Sequence, residues 1–556
     1  MKPLPIQRTE LGMDELESIL QRARTSPLDE QDCAKIRAVF ETYLYLTELL
    51  ENKAITIDRL RKILFGSSSE KTRDVLPAAG PAPAAPTPDP PPTAEPEGME
   101  PVPPKCPGHG RNGAKAYKGA VKIPVAHESL KSGDPCPECK KGKVYEVAQP
   151  GVLVRITGQA PVQAKVYELQ KLRCNLCGKV LTAPAPEGIG AEKYDATSAS
   201  MIALLKYGSG LPFHRLEGLQ ESLGVPLPAS TQWDIVSEAA TIVAPAYEEL
   251  VRQAAQGEIL HNDDTTMRIL GFTGETEAEA YAYEESKRKG VFTSGIVSLV
   301  GGRRMALFFT GRRHAGENLM EVLRHRAADL GSPIQMCDAL SRNEPKGVKT
   351  ILANCNAHGR RQFVDVVESF PAECRFVLET LKDVYRNEAL AGERNLTPQE
   401  RLRFHQKQSG RLMGELKGWL NRQLRQRLAE PNSGLGQAIR YMLRHWRKLT
   451  QFLKVAGAPL DNNICERALK LASLHRKNAL FYKTRNGAHV GDLFMSLIHT
   501  CRLGGVDPFA YLTALQRHAV ELAAAPAKWM PWNYRETIAP TGTTTHPGDT
   551  LPHPAP

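Results

Sequence analysis

Two aspartates stand at places in the chain where carboxylates commonly hold divalent cations. Asp263 follows the stretch EILHN and Asp338 ends the stretch SPIQMC, and both stretches are short and apolar-leaning, as β-strands are. Adjacent strands can bring two such carboxylates into one site, and divalent cations prefer oxygen ligands. An Asp at the end of a strand can also simply begin a turn. Asp264 complicates the first position, because either Asp263 or Asp264 can face the site.

A third acid, Glu466, lies in the segment DNNICERALKLASLHRKN, which predicts a helix that begins at Asn462 or Asn463. One interpretation is structural: Glu466 forms a capping box with Asn463 and an ion pair with Lys470 one turn later. The other interpretation places this carboxylate in the same site as the two aspartates. The residues alone favour the structural interpretation.

Four cysteines have the spacing of a metal site, in the pairs Cys136–Cys139 and Cys174–Cys177. Two C-x-x-C turns can hold one tetrahedral Zn²⁺ between four thiolates, so we predict one structural zinc ion in a ribbon-like domain. The segment between the pairs is longer than the usual gap of about 15–20 residues, which predicts an enlarged hairpin. Disulfides are the alternative, and a redox pair is less favoured because neither pair opens a helix after a strand.

The elements that must position the acids follow from the residue pattern. Residues 257–363 alternate strand-like and helix-like stretches, which predicts an α/β core. Residues 364–455 are almost wholly helix-like, and residues 456–520 contain Glu466. Within the helical stretch, residues 401–450 hold 12 Lys and Arg against two Glu. A solvated face normally mixes both signs, so this excess indicates a surface that contacts phosphates.

The remaining segments are read from composition and periodicity. A heptad pattern over residues 30–65, with Lys53 at one seam position, predicts either a self-associating coiled coil or one amphipathic helix. A helix, a Gly-Val-Pro turn and a second helix capped by Ser230 or Thr231 predict either a DNA-binding helix-turn-helix or an ordinary helical hairpin.

These patterns divide the chain into eight segments. They are 1–76, helical and coiled-coil; 77–104, a Pro- and Ala-rich linker; 105–190, zinc-binding; 191–256, helical and helix-turn-helix-like; 257–363, the first part of the core; 364–455, basic helices; 456–520, the second part of the core; and 521–556, a flexible tail.

Composition narrows the class of protein. The 556 residues include 72 Lys and Arg against 61 Asp and Glu, a formal net charge of +11 that suits a polyanionic partner. Eleven cysteines are too sparse for a disulfide scaffold. No apolar run reaches the roughly 18 residues of a membrane-spanning helix, and the N-terminus does not read as a signal peptide. We therefore expect a cytoplasmic protein without membrane contact.

Taken together, these motifs resemble those of the DDE transposases of the insertion-sequence-sixty-six family, over nearly all of residues 30–520. The segments that carry the resemblance are LRKILFGSSSEK, the four cysteines, HNDDTT, CNAHGRRQF, DNNICERALKLASLHRKNALF and SLIHTCRLGGVDPFAYL. The resemblance implies a multidomain α/β protein. Its ribonuclease-H-like catalytic core would carry the basic helices as an insertion and follow a zinc ribbon-like domain and an N-terminal helical coiled coil.

The resemblance also implies roles for individual residues. Asp263, Asp338 and Glu466 would be the catalytic acids and would hold two Mg²⁺ or Mn²⁺ ions, which favours the catalytic interpretation of Glu466. Cys136, Cys139, Cys174 and Cys177 would hold the single structural Zn²⁺. The candidates for contacts with DNA are His358, Arg360, Arg361, Arg422, Arg425, Arg427, Arg467, Arg476 and Lys477.

The function implied is that of a bacterial transposase, acting at the nucleoid, that cleaves the ends of an insertion element and joins the 3′ ends to target DNA. Its partners would be double-stranded DNA, a second copy of the chain bound through residues 30–65 in a dimer or larger oligomer, and accessory proteins of the same element. Two alternatives remain at this stage: a catalytically inactive relative that binds or represses the ends, and a stand-alone metal-dependent nuclease.

Overall fold

The computed structural model of the chain describes residues 129–145, 159–173, 180–187, 192–273 and 290–539. These residues fall into two compact units. The sheet unit comprises the described residues up to Cys355 and from Asp461 onward, and the helical unit comprises residues 356–460. The heptad segment 30–65 and the linker 77–104 lie outside the described residues. No helix in the described part of the chain is long and apolar enough to cross a membrane.

Strands and helices are numbered in chain order. The strands are β1 (Lys171–Arg173), β2 (Val180–Thr182), β3 (Ile259–Met267), β4 (Val291–Val300), β5 (Arg303–Gly311), β6 (Ile334–Cys337) and β7 (Ile351–Asn354). The helices of the sheet unit before the helical unit are α1 (Ala196–Ala203), α2 (Phe213–Ser222), α3 (Ala229–Ala254) and α4 (Ala315–Leu323). The helical unit contains α5 (Asn356–Val364), α6 (Pro371–Glu393), α7 (Pro398–Arg425) and α8 (Gly434–Leu449). The sheet unit then continues with α9 (Asn463–Ala479), α10 (Arg485–Leu503), α11 (Pro508–Arg517), α12 (Ala519–Ala524) and α13 (Tyr534–Ile538).

A five-stranded mixed sheet with the order β5-β4-β3-β6-β7 forms the centre of the sheet unit. β3, β4 and β5 pair antiparallel, as a meander, whereas β3, β6 and β7 pair parallel. Successive side chains of a strand point to opposite faces. On β4, Gly295 lies against α9 on one face of the sheet. The preceding residue, Ser294, points to the other face and accepts a hydrogen bond from Asn318 of α4. Helices therefore cover both faces, which explains why the middle of β4 is buried throughout.

Side chains of α10 accept hydrogen bonds from the edge strand β5. The backbone N–H groups of Ala306, Phe308 and Thr310 on β5 donate to Thr500 Oγ1, Ser496 Oγ and Asp492 Oδ2, at 3.0, 2.9 and 2.6 Å. The three acceptors follow one another at intervals of four residues, so they lie on one face of the helix. Alternate N–H groups of an edge strand face outward, and these acceptors satisfy them.

The helical unit has an apolar core of its own, in which Val377, Leu416 and Ile439 are buried. Its longest helix, α7, begins with a capping box between Thr397 and Glu400. The residues predicted as helical over 364–455 thus form α6, α7, α8 and the end of α5. Three arginines of the basic stretch, Arg422, Arg425 and Arg427, are exposed.

Two expectations about the sheet unit were wrong. Neither Ser230 nor Thr231 caps the second helix of the predicted hairpin, because α3 begins two residues after Leu227 and Pro228 occupies the capping position without a side-chain hydrogen bond. The segment 521–556 was expected to be a flexible tail, but residues 521–539 include the helix α13 and the buried side chains of Trp529 and Met530. The rest of the segment lies outside the described residues. The α2–α3 pair is a helical hairpin whose second helix packs in the core, and its contact with DNA stays a prediction.

The buried carboxylate of Asp492 makes stability depend on pH. Burial raises the pKa of Asp492 to about 7, although hydrogen bonds from Thr310 oppose this. The folded protein therefore holds this proton more tightly than the unfolded chain, and the group's contribution to stability falls as pH rises from about 4 to about 7. Asp492→Asn has no such proton to lose, so its stability relative to the wild type should increase with pH. We expect the free energy of unfolding of Asp492→Asn minus that of the wild type, measured in urea, to increase by roughly 1–3 kcal/mol from pH 5 to pH 8. A difference that stays constant over this range would contradict the assignment.

Candidate active site

The two aspartates are brought together by the parallel register of β3 and β6. The paired residues are Ile259 with Ile334 and His261 with Met336, a constant offset of 75 residues. The same offset relates Asp263 to Asp338, so the two acids face each other two residues beyond the last paired residues. Corresponding residues of parallel neighbours point to the same face of a sheet. The two carboxylates therefore lie on one face, at the point where β6 has ended.

β3 extends beyond Asn262, where the sequence predicted that the strand would end. Asp263 was expected to follow a strand, but it lies within β3, because β4 pairs with β3 along its whole length, from Ile259 to Met267. Asp338 does follow its strand, as expected, since β6 ends at Cys337. The first acid is thus held by a continuous strand, and the second is the first residue of a loop.

One amide connects the two carboxylates. The side-chain nitrogen of Asn343 donates to Asp338 Oδ1 at 2.6 Å and to Asp263 Oδ1 at 3.3 Å. The carboxylate of Asp338 also accepts from the backbone N–H of Leu340, and that of Asp263 accepts from the N–H of Asp264. Burial, together with the negative charges of Asp338, Asp264 and Glu466, raises the pKa of Asp263 to about 7, although the hydrogen bond from the N–H of Asp264 lowers it.

Glu466 lies near the two aspartates because hydrogen bonds hold its helix, α9, along β3. Ahead of α9, the Asn462 side chain bonds to His261 Nδ1 at 3.1 Å and donates to the Asn262 carbonyl at 3.1 Å. Burial lowers the pKa of His261 to about 4, so the imidazole is neutral at pH 7 and its Nδ1–H can donate to Asn462. Near the end of the helix, Arg476 donates to the carbonyl of Thr266 at 2.6 Å.

A glycine lets this helix approach the sheet. A Cβ at Gly295, the β4 residue opposite Asp263, would lie 2.9 Å from Leu469 Cγ. Close to the same point, Cys465 Sγ donates to the Gly295 carbonyl at 3.2 Å. Glu466 is the next residue along the helix, in its first turn.

The capping box expected between Asn463 and Glu466 does not form. The helix begins at Asn463 with Asn462 at the capping position, where no side-chain capping hydrogen bond is made. Glu466 is therefore one residue too far along for the capping-box spacing. Asn463 instead donates to the carboxylate of Asp461.

Asp264 lies on the opposite face of the sheet from Asp263. Its carboxylate pairs with His314 Nδ1 at 2.8 Å and with the Arg342 guanidinium at 3.1 Å. Its side chain is 1% exposed. The ambiguity between the two neighbours is thus resolved geometrically: Asp263 faces Asp338, and Asp264 belongs to an ion cluster with His314 and Arg342.

The basic residues singled out from the sequence divide between the two units. Arg467 and Lys477 are exposed on α9, whereas Arg476 is half-buried and bonds to β3. His358, Arg360 and Arg361 are half-buried on α5 of the helical unit.

A cavity of about 660 Å³ lies away from the acids, between α3, the end of β5 and the start of α10. Arg312, Arg485 and His489 are among its lining residues. Neither Asp263 nor Asp338 nor Glu466 lines it.

One half of the predicted zinc site lies within the described residues. Pro135 and Lys143 form an antiparallel bridge, and the turn between them carries Cys136 and Cys139. The backbone N–H of Gly142 points at Cys139 Sγ, 3.4 Å away. Hydrogen bonds from the backbone at positions 142 and 141 lower the pKa of the Cys139 thiol, which favours the thiolate that binds metals. Cys174 and Cys177 lie outside the described residues.

The Asp263–Asp338 arrangement suits a cation. Two carboxylates on one face, with a raised pKa at one of them, are stabilised by positive charge, and their oxygens are the ligands that Mg²⁺ and Mn²⁺ prefer. Asp263 and Asp338 therefore fit a divalent metal ion, because both the oxygen donors and the negative charge are of the kind that such an ion needs.

Comparison with known proteins identifies the family. The family model described as "Transposase IS66 family" matches residues 193–490, more than half of the chain, and the match includes Asp263, Asp338 and Glu466. The chain belongs to the IS66 family of transposases. This membership agrees with the resemblance drawn from the motifs.

Proteins of similar sequence are known from Sinorhizobium fredii (strain NBRC 101917 / NGR234). The IS66-family chain is 27% identical to its "uncharacterized protein y4hP" over 408 residues, which cover 69% of this chain and 70% of the relative. It is 27% identical to "uncharacterized protein y4jD" over 381 residues, which cover 65% and 71%. No solved structure matches the chain at a significant level.

The close approach of α9 to Gly295 can be tested by adding a methyl group. In Gly295→Ala, Leu469 and its helix must move, because the new Cβ would lie 2.9 Å from Leu469 Cγ. We expect a loss of about 1–3 kcal/mol in the free energy of unfolding, measured in urea. Gly311→Ala on β5 is the matched control, since its Cβ would meet nothing within 4 Å. Equal stability of the two variants would contradict the packing described.

Proposed function

We propose that this IS66-family protein is a DDE-type transposase in which Asp263, Asp338 and Glu466 form one catalytic site. The observation that carries the proposal is the meeting of Asp263 and Asp338 on one face of the sheet, joined by the Asn343 amide. Glu466 supports it, because its negative charge contributes to the raised pKa of Asp263. A carboxylate such as that of Asp263, whose pKa is raised by burial and by neighbouring acids, is typical of functional sites.

We assign the sheet unit to the ribonuclease-H-like class. Three antiparallel strands followed by two parallel ones, in the order β5-β4-β3-β6-β7, support this assignment. The first acid then lies on the central strand β3, the second directly after the neighbouring strand β6, and the third on the helix packed against β3 and β4. Because unrelated functions share folds, the assignment supports the function only together with the site.

The site would perform phosphoryl transfer on DNA. Two divalent cations, Mg²⁺ or Mn²⁺, would when bound activate the attacking water or 3′-hydroxyl and stabilise the leaving oxygen of an in-line displacement. The chain's part is to hold Asp263, Asp338 and Glu466 as ionised ligands at one point. Arg467 and Lys477, exposed on the helix that carries Glu466, would bind DNA phosphates along that helix.

The other parts of the chain would bind DNA and partners. The exposed Arg422, Arg425 and Arg427 would contact DNA phosphates, and we include His358, Arg360, Arg361 and Arg476 among the candidate DNA contacts. Residues 30–65 would join protomers into a dimer or larger oligomer, because synapsis of two element ends needs at least two. Accessory proteins of the element and an action at the bacterial nucleoid, in the cytoplasm, belong to the same proposal.

The catalytic assignment predicts the behaviour of charge-removing variants. Asp263→Asn, Asp338→Asn and Glu466→Gln keep the shape of each side chain and remove the charge that a cation needs. Each should lower cutting and joining of labelled element ends in Mg²⁺ by at least a hundredfold while binding to the ends persists in a mobility-shift assay.

Asp264→Asn is the matched control. It changes the adjacent acid, which pairs with His314 and Arg342, so activity should be retained even if stability falls. Normal strand transfer by Glu466→Gln would remove that residue from the site. End binding without any metal-dependent cutting by the wild type would indicate an inactive relative, and cutting without joining would indicate a nuclease.

The zinc-binding region makes a separate prediction. Purified protein should contain about one zinc per chain, bound by the four cysteines as a closed structural site. Cys139→Ser should reduce the zinc content measured by elemental analysis, because the thiolate favoured by the turn is lost. Cys374→Ser, at a buried cysteine of the helical unit, is the control and should leave the zinc content unchanged. Stoichiometric zinc in a variant lacking all four predicted ligands would disprove the site.

A further inference from the structure

A network of buried amides lies beneath the two aspartates. The residues Asn262, Gln335 and Asn343 are fully buried. Gln335 donates to Asn262 Oδ1 at 2.9 Å, and both Gln335 and Asn262 donate to the backbone carbonyl of Asn343 at 2.8 Å. Thr350, ahead of β7, donates to Gln335 Oε1 at 2.9 Å. The network therefore joins β3, β6 and the approach to β7 to one turn, the 3-10 turn Ser341–Asn343.

The backbone of this turn is also held from the side by α4. A Cβ at Gly316, in the first turn of that helix, would lie 2.6 Å from the carbonyl oxygen of Glu344 and 2.7 Å from that of Arg342. Only a residue without a Cβ allows this approach. Arg342, in the same turn, pairs with Asp264 on the other face of β3.

The Asn343 side chain projects from this fixed backbone to both aspartates. The amide nitrogen is the atom that faces the two carboxylates, whose oxygens accept its hydrogen bonds. The amide supplies two N–H donors, and its nitrogen lies 2.6 Å from Asp338 Oδ1 and 3.3 Å from Asp263 Oδ1. One neutral side chain thus offers positive dipole ends to two negative groups.

We propose that Asn343 is a positioning residue that sets the spacing of Asp263 and Asp338 before a metal ion binds. The inference rests on the proposed function in one respect, that the two aspartates are metal ligands. Asn343 acts through the two carboxylates. Partners that orient metal ligands typically change metal affinity by 10–100-fold when they are removed.

The test measures metal binding and stability, with no DNA present. In Asn343→Ala the carboxylates lose their common donor, so we expect the affinity for Mn²⁺, measured by titration calorimetry, to fall by 10–100-fold. Asn318→Ala is the matched control, because it removes another buried amide, one that donates to Ser294 Oγ. Its affinity for Mn²⁺ should stay within about threefold of the wild type. Unchanged affinity in Asn343→Ala, or an equal loss in both variants, would overturn the proposal.

A second variant keeps the result interpretable if Asn343→Ala folds poorly. Asn343→Asp has the same shape but replaces the donor with a third negative group beside the pair. We expect it to unfold at a lower temperature than the wild type in chelator, and saturating Mn²⁺ should shrink or reverse that difference. Equal unfolding temperatures in chelator would show that the amide only fills space.

These outcomes are separable from failure of the proposed function. If the wild type binds no divalent cation in calorimetry, the metal-dependent function fails. The comparison of Asn343→Asp with the wild type in chelator would still decide whether the amide holds the two carboxylates together.

Discussion

The mutual repulsion of two carboxylates on one face of a sheet is the constraint around which the site is built. Asp263 and Asp338 are held opposite each other by a register that β3 and β6 fix through residues well before the acids. Burial and the neighbouring negative charges raise the pKa of Asp263 to about 7, so its ionisation is disfavoured unless positive charge is supplied. The Asn343 amide supplies part of it as a dipole, and a cation would supply more.

Successive side chains of β3 point to opposite faces of the sheet, which explains why the adjacent acids Asp263 and Asp264 have different surroundings. Asp263 points to the face covered by α9, and Asp264 points to the face covered by α4, where it pairs with His314 and Arg342. A shift of one residue in the pairing of β3 would exchange the two acids. Such a shift would also displace the buried amides of Asn262 and Gln335 from each other, and the cost of unpaired buried amides opposes it.

Local patterns in the sequence predicted the elements of the core well, and long-range partners poorly. The stretches RMALFFTG and TSGIVSLV form β5 and β4, and the strand assignment ahead of Asp338 was confirmed. Family resemblance, and not the residues themselves, moved Glu466 from a capping role to the site, and its helix indeed lacks the expected capping box. No local signal marked Asn343, because its side chain joins Asp338, five residues away, to Asp263, 80 residues away, and only the fold brings these two together.

Other misses have the same physical origin. Asp492, Ser496 and Thr500 have the i, i+4, i+8 spacing of a helix face, but polar residues at that spacing usually face solvent. Here they face inward because the edge of β5 needs acceptors, which only the folded sheet reveals. The zinc site and the heptad segment are different, since half of the first and all of the second lie outside the described residues.

The long separation between the second and third acids does not weaken the site, because the two ends of the helical unit are held together. On the sheet unit's side, the backbone N–H of Asn462 donates to Cys355 Sγ at 3.2 Å. On the helical unit's side, the backbone N–H of Asn356 donates to the carbonyl of Leu460 at 3.0 Å. An insertion whose ends already meet adds little closure entropy, about 0.6 kcal/mol for each doubling of its length.

The same arrangement separates the placement of Glu466 from the internal structure of the insertion. Asn462 is fixed to β3 through His261 and the Asn262 carbonyl, so α9 begins at a point that the sheet determines. The helical unit has its own core, and its size and surface charge can therefore vary without moving the third acid. The carboxylates of Asp263 and Asp338 remain held by β3, β6 and the turn that carries Asn343, whatever surface the helical unit carries.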